Sequence, residues 1–142
     1  MIMGTGGNSG SQSSAMIVRG LATEEIKLKD FMRVFIKELC IGVFVGVVLA
    51  VVNALRTWLM YELMYKNDPV YAEYNIWMVS LTVGLTIIGV VVLAKILGAV
   101  LPMLAKRLNL DPAIMASPLI TTIVDTCAVL LYFNIAIAVL SI

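Results

Sequence analysis

The sequence contains no histidine. That removes Ser-His-Asp and Cys-His catalysis and every His-ligated metal centre. Charge is scarce: 13% of the 142 residues are Asp, Glu, Lys or Arg, against about 25% in an average soluble domain. The two cysteines, Cys40 and Cys127, both lie in apolar runs. They have neither metal-ligand spacing nor the density of a disulfide scaffold, and they read as small apolar residues. The formal net charge of +1 by itself says nothing about nucleic acid, and no nucleic acid partner is expected. No secretory signal pattern is expected at the N-terminus, which is polar and Gly/Ser-rich, so insertion rests on the spans themselves.

What is abundant is apolar surface: 61% of residues are hydrophobic and the mean hydropathy is +1.02. The expected fold class is an all-α membrane protein: three transmembrane helices preceded by a Gly-rich segment and an amphipathic interfacial helix. Residues 1–20 carry Gly4, Gly6, Gly7 and Gly10 among Asn8, Ser9, Ser11 and Gln12. On composition they read as a flexible linker or as irregular backbone beside a pore. A phosphate-cradling loop is disfavoured because no strand precedes it and the P-loop lysine is missing. Over 21–38, apolar Ile26, Leu28, Phe31, Met32, Phe35 and Ile36 recur near helical spacing among eight charged residues, with Thr23 as a cap.

The spans are expected at 39–60, 76–104 and 112–142, each long enough for a bilayer core of about 30 Å. Gly42 and Gly46 form a small-xxx-small pair suited to a close helix contact. Lys95 is expected to snorkel toward the headgroups, the alternative being the bundle interior. Arg19, Lys27, Lys29, Arg33 and Lys37 precede the first span, and Lys106 and Arg107 precede the third. The connection between the first two spans is net acidic. The positive-inside rule then predicts a multi-pass protein of the cell membrane with loop 105–111 cytoplasmic and the C-terminus extracytoplasmic.

Asp125 is the one charged residue between Pro112 and Ile142. A carboxylate at membrane depth costs at least about 2.5–3.5 kcal/mol on insertion scales, so it requires a partner, water or a task. Ser117, Thr121 and Asp125 stand at i, i+4 and i+8, one face of a helix. Pro118 is expected to kink that helix and free a carbonyl near Ile114. Hydroxyls, a carbonyl and a carboxylate make an all-oxygen surface. Hard divalent cations prefer oxygen, and Mg²⁺ gives up its waters reluctantly. One carboxylate is thin for such an ion; a two-fold homodimer would bring two Asp125 together. A structural Asp bonded to neighbouring hydroxyls is the competing reading.

Several separated blocks resemble the membrane domain of the MgtE family of magnesium transporters and channels. They are Gly6-Gly7-Asn8-Ser9-Gly10-Ser11-Gln12, Val18-Arg19-Gly20-Leu21-Ala22, Leu101-Pro102, Arg107-Leu108, Leu110-Asp111-Pro112-Ala113, Ser117 through Asp125, and Leu131-Tyr132-Phe133. The resemblance implies a homodimer with five membrane helices per subunit and a pore on the dimer axis, lined by the second and fifth. It puts the pore acid on Asp125, pore carbonyls near Ser117 and Thr121, and the end of the second pore helix at Gly7 and Asn8. These five are the candidate metal contacts. Mg²⁺ is the implied ion, with Mn²⁺, Co²⁺ and Ca²⁺ as chemically similar cargo. The implied first helix, most of the second, and the cytoplasmic sensor domains do not appear in the sequence. The chain is therefore expected to be one truncated domain, 1–142, whose partners are the bilayer, a second copy and those missing segments.

Ion transport is thus expected, with a coupled cation exchanger or a non-conducting membrane subunit or fragment as alternatives. An enzyme is not expected: two Asp125 could form an aspartyl dyad, but the threonine-rich stripe gives no reason for a raised pKa.

Overall fold

The structure, a computed structural model, describes residues 2–66, 75–115 and 118–140. Four helices carry the fold: α1 (Ile2–Ala22), α2 (Phe31–Met60), α3 (Ile76–Arg107) and α4 (Pro118–Leu140). No strand occurs among the described residues. The helices that contain α2, α3 and α4 are long and apolar enough to cross a membrane. The chain is an all-α, multi-pass membrane protein.

The Gly-rich segment is not a linker. It forms α1, 21 continuous helical residues. Glycine disfavours a helix interior by about 1 kcal/mol relative to alanine, so packing must hold α1 together. Each buried glycine marks a close approach. A Cβ on Gly6 would run into Val90 and Val124, and one on Gly10 would lie 2.8 Å from Ile120 Cγ2 and 3.0 Å from the Ala94 carbonyl oxygen. A Cβ on Gly98 of α3 would meet the Gly10 carbonyl oxygen. α1 therefore lies in the groove between α3 and α4, backbone against backbone. The order of these contacts makes α1 parallel to α3 and α4 antiparallel to it.

The segment 21–38 is divided between elements. Residues 21 and 22 end α1, and Leu28–Asp30 form a 3₁₀ turn that leads directly into α2. Thr23 does not cap a following helix. Its hydroxyl donates to the Arg19 carbonyl at 3.1 Å, at the end of the preceding one. Glu24 then takes φ 60°, and the Ile26 side chain folds back over Gly20. Ile17 and Leu21 pack on Val34, Ala99 and Met103, which closes this end of the bundle.

α2 runs antiparallel to α3 and approaches it as the glycine pair predicts. A Cβ on Gly42 would lie 3.1 Å from Val92 Cα, and one on Gly46 3.0 Å from Ile88 Cα. α2 continues into a π-helical turn, Tyr61–Tyr65, where Lys66 pairs with Glu62 at 2.8 Å. That hydrogen bond raises the Lys66 ammonium above its ordinary range. At the start of α3, the Asn75 side chain accepts from Trp77 N at 3.1 Å. α3 closes on Asn109, at φ 58°. There Leu110 N donates to the Ala105 carbonyl (2.9 Å) and Asn109 N to that of Lys106 (3.2 Å), the paired bonds of a Schellman motif.

The third span starts later than Pro112. Residues Pro112–Met115 form a 3₁₀ turn, and α4 begins at Pro118. Proline at a first helical position loses no intrahelical bond, so Pro118 starts α4 and does not kink it. Ser117 lies outside the described residues.

Candidate functional site

Asp125 sits two turns into α4, on the seam with α1. Successive residues rise 1.5 Å in a helix, which puts it roughly 10 Å along the axis from the α4 start; the residue is half-buried. Its Oδ1 atom is buried and has no hydrogen-bond partner among the described residues. The carboxylate opens on a groove of about 490 Å³ lined by Met3 of α1 and by Thr122, Thr126, Val129 and Leu130 of α4.

The threonine hydroxyls are fixed by the helix itself. Thr122 donates to the Pro118 carbonyl and Thr126 to the Thr122 carbonyl, each at 2.9 Å. Their donors are used, so what each offers the groove is oxygen lone pairs. The groove holds a carboxylate oxygen and two acceptor hydroxyls on an otherwise apolar wall. Such a surface suits a cation that carries its own water, which donates to all three. Among the described residues there is no cluster of three or more Asp, Glu, Cys or His side chains that could strip an ion of its shell.

The sequence-predicted residues divide into two sets. Thr121 does not line the Asp125 groove; it faces α1. Its Oγ1 lies 3.4 Å from Ser11 Oγ, and a Cβ on Gly7 would lie 2.9 Å from its Cγ2. Gly7 is where α1 comes close enough to touch the α4 stripe. Asn8, the next residue, is exposed, as are Gly4 and Gln12. At i, i+4 and i+8 they form one outward face of α1, polar in its lower two members. Thr122 and Thr126, which do line the groove, are off the i, i+4, i+8 stripe that the sequence singled out.

A second polar centre escaped the sequence reading. Lys95 of α3 does not snorkel outward. Its Nζ lies 3.8 Å from Glu38 Oε2 of α2, with side chains 12% and 8% exposed. Ser13 of α1 donates to the same carboxylate oxygen at 2.5 Å. Gly42 makes this possible: a Cβ there would press on the Lys95 stem, 3.4 Å from its Cβ. One ion pair and one hydroxyl thus tie α1, α2 and α3 together. The signal available in the sequence was Glu38 directly before an apolar run, one turn from a glycine.

These features define a class: a multi-span helical membrane protein with an unpaired carboxylate at a helix seam. Residues 1–135 match the MgtE family, described as divalent cation transporters, and the chain belongs to that family. It is 34% identical over 136 residues to the magnesium transporter MgtE of Thermus thermophilus, across 96% of this chain and 27% of that protein. The magnesium transporter MgtE of Enterococcus faecalis is likewise 34% identical over 136 residues, with the same coverage. That of Bacillus subtilis is 32% identical over 138 residues, 97% of this chain and 28% of that protein. The chain thus spans about a quarter of the length of these relatives.

Proposed function

We propose that the chain forms the ion-conducting part of a magnesium transporter of the cell membrane, with a pore on a homodimer axis and Asp125 as the acid that draws the ion in. The observation that carries this is the Asp125 carboxylate, which has no hydrogen-bond partner among the described residues and borders a groove lined by Thr122 and Thr126. Family membership and the names of the relatives support the ion.

In this reading Mg²⁺ enters with much of its hydration shell. The shell donates to Asp125 and to the Thr122 and Thr126 hydroxyls. Asn8 and the carbonyls near Gly7, Ser117 and Thr121 serve the approach. Two Asp125 repel each other until an ion stands between them, which favours its binding. Mn²⁺, Co²⁺ and Ca²⁺ share the preference for oxygen and compete according to size and ease of dehydration. The membrane potential drives entry: at about 2.3 kcal/mol per charge, a divalent ion gains about 4.6 kcal/mol per 100 mV. Nothing in this scheme makes or breaks a covalent bond. Loop 105–111 faces the cytoplasm and the C-terminus faces out, because the basic residues gather at the end of the bundle that holds both this loop and the start of α2.

The test is Mg²⁺ flux into proteoliposomes under an imposed potential. Asp125→Asn keeps the side-chain volume and removes the charge; flux should fall at least about tenfold, the loss of a contact worth about 1.4 kcal/mol or more. Undiminished flux removes Asp125 from the mechanism.

The second reading is a non-conducting subunit that works only with further segments. Its support is a second buried orphan, Asn53 Nδ2 of α2, a donor that a further segment could satisfy. Robust Mg²⁺ flux through the 142-residue chain alone rejects it.

A further inference from the structure

At the basic end of the bundle a groove of about 460 Å³ runs between the 3₁₀ turn and the last turns of α3. Leu28, Phe31, Val100 and Leu104 form its apolar wall, with Lys29 and Arg107 as its charged members. Leu28, Phe31 and Leu104 are 43, 38 and 47% exposed, large apolar side chains left open at the membrane boundary. Neither Lys29 nor Arg107 is in an ion pair among the described residues. The adjoining cavity shares Leu28 and adds Lys27 and Lys106, with Glu24 as its one acid. Asp30, beside Lys29 in sequence, accepts from the Lys27 backbone N–H at 3.0 Å.

An apolar trough ending in two unpaired cations is complementary to a molecule with a hydrocarbon tail and an anionic head. We infer that this groove binds an anionic phospholipid of the surrounding bilayer, an acyl chain against Leu28, Phe31 and Leu104 and the phosphate between Lys29 and Arg107. Basic pockets between membrane helices recognise anionic headgroups in this way, and the planar guanidinium of Arg107 can grip a phosphate with two donors. A zwitterionic lipid brings its own cation and leaves the two protein cations uncompensated, so the site discriminates by net charge. The inference needs only that the chain lies in a membrane; it is independent of the transport mechanism. The bound lipid would join the entry of α2 to the end of α3, the two elements whose contact closes this end of the bundle.

Tryptophan fluorescence tests it. Phe31→Trp in a Trp58→Phe, Trp77→Phe background leaves one reporter in the groove. The full chain is placed in phosphatidylcholine vesicles containing either brominated phosphatidylglycerol or brominated phosphatidylcholine at equal mole fraction. Quenching should favour the anionic lipid by an apparent partition on the order of tenfold, from two basic residues near the headgroup. Lys29→Gln with Arg107→Gln should abolish the preference while circular dichroism retains the helical signal. Inorganic phosphate should leave it unchanged. Equal quenching by both lipids, weak quenching by either, a preference that survives the double substitution, or its loss to free phosphate would each overturn the inference. Weak quenching would mark a groove covered by protein, and competition by phosphate a site for small anions.

Discussion

Glu38 and Lys95 meet in a place where isolated charges are expensive. Desolvating an ion costs several kcal/mol, and the attraction between partners repays it only when the remaining hydrogen-bonding capacity is met. Ser13 meets part of it, through its hydroxyl on Glu38. Glu38→Met should therefore leave Lys95 as an uncompensated buried cation and destabilise the bundle by roughly 3–5 kcal/mol. Lys95→Met should act similarly by stranding Glu38. The double change to Met at both positions should recover most of the loss, because no charge remains to be desolvated. Unfolding in detergent, read as a double-mutant cycle, checks this; a double variant that loses the full sum of the single losses refutes the coupling. Asp125 should behave in the opposite manner. It has no partner to strand among the described residues, so Asp125→Asn should keep stability and lose flux. These two acids were unequally legible. Asp125 stands out in the sequence because it is the one charged residue from Pro112 to Ile142. Glu38 sits at the edge of a charged segment, and its partner lies on a helix that joins it only after folding. Nothing local distinguishes Lys95 in the interior from a lysine that snorkels.

α1 is the element where composition misled most. Glycine and serine suggest a linker when read by propensity, and they permit the tightest helix packing when read by size. The structure takes the second course: α1 is held by contacts that have no room for a side chain. Gly10→Val should therefore expel α1 from the α3–α4 groove, since a Cβ alone would lie 3.0 Å from the Ala94 carbonyl oxygen. Gly4→Ala should be tolerated or mildly stabilising, because a Cβ there meets nothing within 4 Å and alanine is the better helix former. Limited proteolysis of the N-terminal segment in detergent separates the two. Gly10→Val should make it cleavable while α2, α3 and α4 stay protected; equal protection of the two variants would mean that α1 does not depend on this packing. The number and order of the three apolar spans were legible, since length and hydropathy determine them. Their ends were less so. Pro118 reads as a kink if the helix starts at Pro112 and as a start if it does not. That choice depends on the 3₁₀ turn between them, which no periodicity announces.

A bundle that offers one carboxylate per chain to an ion invites a second copy. The face of α1 that carries Gly4, Asn8 and Gln12 is exposed, and Met3 of the same helix borders the Asp125 groove. If the proposed two-fold axis runs along this face, residues at position 8 of two chains stand close across it. Asn8→Cys, in a background with Cys40→Ser and Cys127→Ser, should form a disulfide-linked dimer on mild oxidation in the membrane. A disulfide needs Cα atoms within about 7 Å, so the cross-link reports a close approach and not mere abundance. Val51→Cys, on the exposed outer face of α2, should stay monomeric under the same conditions. Mg²⁺ adds a second reading. An ion held between two carboxylates binds only the assembled form and must stabilise it by mass action, increasingly as its concentration exceeds the dissociation constant. Dimer in mild detergent should therefore increase with Mg²⁺, and Asp125→Asn should remove the increase without removing the Asn8→Cys cross-link. A cross-link at position 51 and none at position 8 would put the axis on α2. A Mg²⁺ effect that survives Asp125→Asn would put the ion elsewhere on the interface.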